Sequence, residues 1–147
     1  MKKITFLLLL VIPILGFSQV DLPITFEDPS IDYKLGDFGG NTSMIVVDPT
    51  DSTNQVGQAT KDGPEPWAGT TVGGDGLDNP IPFTMGDTKM SVRVWSPTAG
   101  IPIRLKVENA ADPGISVETE AMTTVAGEWE MLTFDFANQA DGTAAIN

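Results

Sequence analysis

Glu118 and Glu120 stand two residues apart in an alternating stretch, and paired carboxylates of this kind are the residue types that acid–base catalysis requires. On one strand face their Cα atoms would lie roughly 7 Å apart. That spacing suits an inverting hydrolase, but two carboxylates in line along one strand cannot flank a scissile bond from opposite sides. The sequence contains no histidine and no cysteine, which removes Ser-His-Asp and Cys-His nucleophiles and every histidine-bound zinc or iron site. Oxygen-ligated metal stays open as chemistry. The run 48–54, DPTDSTN, has oxygen donors at alternate positions, yet it lacks the glycine at the sixth place and the glutamate at the twelfth that an EF-hand loop needs. The reading is of a non-enzymatic chain.

The elements that would position these groups are strands. Residues 88–108, TKMSVRVWSPTAGIPIRLKVE, alternate twice with period two: Met90, Val92 and Val94, then Ile101, Ile103, Leu105 and Val107. Pro97 and Gly100 between the runs predict a tight turn and hence a hairpin. Its polar face would carry Arg93, Trp95, Arg104, Lys106 and Glu108. Further strands are expected at 22–27, at 44–47 as a buried strand, at 56–61, at 67–72, at 115–122 after a Pro113-Gly114 turn, and at 128–136. Residues 31–43 read as loop, with a brief extended piece at 33–35. Leu132, Phe134 and Phe136 share a face, with Trp129 out of phase; a bulge near Glu130 or Met131 would bring it into the same core. Glycine, proline and β-branched residues recur too densely for a sustained helix. The fold class expected is all-β, a two-sheet antiparallel β-sandwich.

The chain has 147 residues, enough for one core. Residues 1–18, with Lys2-Lys3, the apolar run 4–15 and the small residues Gly16 and Ser18, read as a signal peptide too short to span a bilayer comfortably. The protein is therefore expected to be secreted or held at the cell surface, without membrane insertion, and residues 19–147 to form the sandwich domain. Its formal charge of −12 becomes −14 once Lys2 and Lys3 leave with the leader. That charge repels nucleic acid, so the expected partners are neutral, cationic or metal-bridged. Export without cysteine points to a bacterial source. Residues 144–147 follow the last strand without a closing element, so a truncated chain is expected.

Several ordered motifs then carry a resemblance. The segment 127–136, GEWEMLTFDF, is similar to the G-x-W-x-x-L-x-F-x-F strand of jelly-roll carbohydrate-binding modules of the galactose-binding-like type. Phe26-Glu27 resembles the F-E of their first strand, and residues 89–97 resemble their central R-V-(W/Y)-S-P strand. With Asp48-Pro49, residues 67–69 and residues 104–108, the pattern looks like that of secreted glycan-processing proteins of Bacteroidota and spans most of the chain after the leader. The late strand with a near-terminal acid that such modules have is missing.

The resemblance implies a jelly roll, polysaccharide as partner, attachment to further domains of the same protein, and a structural calcium held in part by Glu27. Glu27 reads equally well as a turn cap. A sugar face needs flat rings against pyranose C–H groups and planar polar groups beside them. Trp95, Trp67 and Tyr33 are the candidate platforms. The candidate ligand-binding set is Trp67, Arg93, Trp95, Arg104, Lys106, Glu108, Glu118 and Glu120. The charged members also read as a solvated face held by cross-strand ion pairs. Trp129 reads as core, and Trp67 as either. From another class, the chain also reads as a structural or adhesive sandwich that spaces domains or contacts proteins.

Overall fold

The computed structural model of the chain describes residues 20–140. The leader expected at 1–18 and the closing segment 144–147 lie outside the described residues. Among the described residues eight strands, paired antiparallel, form an all-β fold consistent with a β-sandwich. No helix occurs among the described residues. The chain divides at Gly74 into two compact units.

The first unit holds β1 (Gly36–Phe38), β2 (Asn41–Val47), β3 (Gln55–Lys61) and β4 (Gly69–Thr71). β2 and β3 pair from Asn41↔Lys61 to Val47↔Gln55, and β1 pairs β4 from Gly36↔Thr71 to Phe38↔Gly69. Asp48 closes the β2–β3 turn. Its Oδ1 accepts from the Thr50 N–H and hydroxyl, both at 2.7 Å, and its Oδ2 accepts from Asn54 Nδ2 at 2.9 Å. An aspartate that bonds the backbone two residues on makes the turn without glycine. Among the described residues few side chains are buried here: Val20 and Tyr33 are the apolar ones, and Phe26 packs with its ring centroid 4.9 Å from that of Tyr33.

Two expectations fail in this unit. Residues 22–27 form no strand, because Phe26 takes a left-handed backbone (φ 63°) that breaks extension and lays its ring on Gly57. The strand expected at 44–47 exists within β2, but it is not buried. Met44, Ile45 and Val47 are exposed, since an apolar run announces a strand without saying what covers it.

The second unit holds β5 (Lys89–Trp95), β6 (Pro102–Asn109), β7 (Asp112–Met122) and β8 (Trp129–Asp135). The alternation at 88–108 is present, but the hairpin is not. β5 pairs with β8, from Lys89↔Asp135 to Trp95↔Trp129, and β6 pairs with β7, from Pro102↔Met122 to Asn109↔Asp112. Residues 96–101 carry the chain from one strand pair to the other. Buried Thr123 anchors that crossing: its Oγ1 accepts from Ile101 N at 2.9 Å, and its carbonyl accepts from Gly100 N at 2.8 Å.

The β6–β7 turn is also not at Pro113-Gly114, which lie inside β7. Asn109 makes it, its Oδ1 accepting from Ala111 N at 2.8 Å and Asp112 N at 3.3 Å. The two strand pairs meet through one apolar cluster. Val117, Leu132, Phe134 and Phe136 are buried, with Met90, Val92, Val94, Ile103, Leu105 and Val107 packed against them.

Candidate functional site

Period two then decides where the candidate residues lie. Val92 and Val94 face the cluster, so Arg93 and Trp95 lie on the outer face of β5–β8. Ile103, Leu105 and Val107 face the same cluster from the other layer, so Arg104, Lys106 and Glu108 lie on the outer face of β6–β7. The single polar face expected of a hairpin is therefore two faces on opposite sides of one core. Trp67 belongs to the first unit.

The β6–β7 face unites five of the candidates in an ion-pair ladder. Arg104 stands across from Glu120, and Lys106 across from Glu118. The Arg104 guanidinium reaches both acids, Nη2 to Glu120 Oε2 and Nη1 to Glu118 Oε2, each at 3.2 Å. Those bonds, Glu120 first, raise the guanidinium's pKa above its ordinary value. Lys106 Nζ pairs with Glu108 at 3.0 Å along its own strand. Charges that neutralise one another in this way hold a sheet face together and leave little for a ligand. Glu118 and Glu120 flank nothing: both turn to the same arginine.

On the β5–β8 face the register runs without a shift from Trp95↔Trp129 to Lys89↔Asp135. No bulge occurs, so Trp129 is not core. It lies on the outer face opposite Trp95, and the Arg93 guanidinium covers its ring at 4.5 Å. Trp95 is half-buried, and its indole N–H is buried without a hydrogen-bond partner among the described residues. Neither ring is an open platform.

The open platform is in the first unit. Trp67 is 60% exposed and lies parallel to Phe38, 44% exposed, with ring centroids 6.3 Å apart and planes within 8°. Sequence reasoning named Trp67 and missed Phe38, which sits in a glycine-rich segment that reads as loop. The signal was there in Phe38 itself, an aromatic residue with no apolar neighbour two positions away. Both rings rest on glycines. A Cβ on Gly69 would come within 2.9 Å of the Phe38 ring, and one on Gly39 within 2.8 Å of Trp67; Gly39 also has φ +67°.

Behind the platform, Asp37 ties β1 to β2 and β4. One carboxylate oxygen accepts from Asn41 Nδ2 at 2.9 Å, from Thr70 Oγ1 at 2.8 Å and from the Ser43 hydroxyl, and the other accepts from Ser43 N at 2.8 Å. These donors, the Ser43 hydroxyl foremost, lower its pKa to about 2. Asp37 alternates with Phe38, so the network fixes the strand while the ring faces the other way.

Tyr33, the third expected platform, is buried, and its hydroxyl accepts from Asp28 N at 3.3 Å. Glu27 lines a groove of about 500 Å³ with Phe26, Tyr33 and Ile45. Its Oε1 accepts from Gln55 N at 2.7 Å, which caps the start of β3. Neighbouring Asp28 is turned to Ser30, bonding its N–H at 2.8 Å and its hydroxyl at 2.6 Å. Among the described residues no group of three or more acidic side chains converges to hold a metal ion.

Comparison with family models, with curated proteins and with solved structures finds no match to this chain.

Proposed function

We propose that this chain is a secreted, non-catalytic module that binds polysaccharide and brings attached domains to it. The observation supporting the reading is the exposed, parallel Phe38–Trp67 pair. Two parallel rings held on glycines present the flat apolar faces that pyranose C–H groups stack against, with little side-chain entropy lost on binding. The ordered motif resemblance points the same way. The β6–β7 face, spent on its own ion pairs, is the stabilising surface in this reading.

The test is affinity electrophoresis of the secreted chain against neutral, acidic and aminated glycans. A Phe38→Ala, Trp67→Ala double variant is expected to lose retardation, and Arg104→Ala to keep it. A wild type retarded no more than the double variant on every glycan would sink the proposal.

A structural or adhesive role is the second reading, favoured by sheet edges. Every strand pair has two strands, so each strand has an edge without a ladder partner among the described residues. Ala140 N donates to Glu118 O at 2.8 Å on β7. Solution mass separates the readings: self-association that survives Phe38→Ala, Trp67→Ala favours adhesion through an edge.

A further inference from the structure

The carboxylates of the described chain are mostly committed. Asp37 and Asp48 organise networks, Glu27 and Asp28 cap backbone, Glu108, Glu118 and Glu120 form ion pairs, and Glu130 accepts from Thr124. Two that are not committed lie in the segment that carries Trp67. Glu65 precedes Trp67 by two residues in a turn closed by Ala68 N donating to Glu65 O at 3.2 Å. Asp62 enters the same segment, its N–H held by Gly40 O at 2.9 Å. Gly40 follows Gly39, the residue on which Trp67 rests. Asp62 is exposed and Glu65 half-buried, and neither side chain has an ion-pair or hydrogen-bond partner among the described residues.

Residues 20–74 carry nine carboxylates against two lysines, Lys34 and Lys61. An anionic ligand would be repelled there, and a neutral one would find in Asp62 and Glu65 hydrogen-bond acceptors for its hydroxyls but no charge attraction. A cation gains twice, from the carboxylates and from the negative faces of the rings.

We propose that the Phe38–Trp67 surface takes a glycan bearing free amino groups, a de-N-acetylated hexosamine polymer, with ring faces on Trp67 and Phe38 and ammonium groups toward Asp62 and Glu65. The proposal rests on the polysaccharide-binding reading and names its ligand class. It is specific in direction: acetylating the amine removes the charge and keeps the sugar ring.

Calorimetry of the full secreted chain with three hexasaccharides tests it: fully de-N-acetylated, fully N-acetylated, and a neutral glucan. Below neutral pH, where the amine is charged, the de-N-acetylated hexamer is expected to bind about three- to tenfold more tightly than the acetylated one. That preference is expected to shrink with added salt. Asp62→Asn with Glu65→Gln, whose amides still accept from sugar hydroxyls, is expected to remove the preference chiefly by weakening the de-N-acetylated hexamer. Lys61→Ala is expected to increase it. Trp67→Ala is expected to weaken all three, and a folded circular dichroism spectrum for that variant keeps the result interpretable. Equal affinity for the acetylated and de-N-acetylated forms, both lost in Trp67→Ala, would overturn the amino-group inference and leave polysaccharide binding standing. Binding of all three unaffected by Trp67→Ala would overturn both.

Discussion

The two units solve the same problem with different forces. In the second, four strands enclose an apolar cluster in which Phe134 is fully buried, and the polar residues are turned outward. In the first, little carbon is buried, and the strands are joined by carboxylates: Asp37 links β1, β2 and β4, and Asp48 closes the β2–β3 turn. A unit held by side-chain hydrogen bonds can leave its aromatics outside. That is why Phe38 and Trp67 are open, while the tryptophans of the second unit lie half-buried or under Arg93.

The sharpest way to break this contrast is Phe134→Ala. Removing a fully buried ring is expected to cost about 3–5 kcal/mol, read from urea unfolding. A loss below about 1 kcal/mol would mean that the cluster is not what holds the second unit.

Asp37→Asn probes the other side of the contrast through pH. The folded carboxyl titrates at about 2, below its ordinary value of 3.8, because Ser43 and its neighbours donate to the charged form. A lowered folded pKa stabilises above the unfolded pKa, and that contribution fades as pH falls from about 4 toward 2. Acid unfolding of wild type is expected to steepen in that window, and Asp37→Asn to flatten it and lower stability at neutral pH. Because Asp37 fixes the strand that carries Phe38, the variant is also expected to weaken glycan retardation, which a purely local effect on acid stability would not do. An unchanged acid limb in Asp37→Asn would show that the network does not stabilise the unit.

The contrast also explains what the sequence made legible. In the second unit alternation reported burial within the strand interiors, where Val92, Val94, Ile103, Leu105 and Phe134 face inward as their phase predicts, but not toward the strand ends, where Ile101 and Ile115 are exposed. Even Trp129, out of phase, lies outside as its position says, and the bulge invoked to bring it in does not exist. Partnership was not legible. Period two fixes which face a residue takes, and it is identical for a strand paired with its successor and one paired across the unit. Residues 96–101 have the proline and glycine of a hairpin turn, and their role as a crossing depends on Thr123, more than twenty residues later.

In the first unit alternation had little to report, because β1 and β4 are three residues long and held by Asp37, Ser43 and Thr70. Contacts among small polar residues leave no periodic mark. Of the candidate site, Trp67 was legible as an aromatic between Pro66 and Gly69, and Phe38 was not.

Within the second unit the two outer faces differ as well. Arg93 lies on Trp129, an exposed cation–π contact contributing about 0.5–1 kcal/mol. Arg93→Ala is expected to lose about that much stability and to uncover the indole, read as increased quenching of tryptophan fluorescence by acrylamide, without changing glycan retardation. Gain of retardation in that variant would make the β5–β8 face a competing platform.

The smallest effect is expected on the β6–β7 face. Arg104 reaches Glu118 and Glu120 at 3.2 Å, but the arginine is nearly half exposed, so water and salt screen both pairs. Arg104→Met keeps the stem that covers the sheet and removes the charge, leaving Glu118 and Glu120 to repel one another across a solvated face. The net loss should be a few tenths of a kcal/mol to about 1, shrinking as salt rises. A double-mutant cycle with Glu120→Gln isolates the pair from the general effect of charge in so acidic a chain. A coupling energy near zero would reduce the ladder to geometry without energy. A coupling well above 1 kcal/mol would mean that this face, and not the cluster alone, keeps β6 on β7, and the division of labour between carbon in one unit and carboxylate in the other would have to be redrawn.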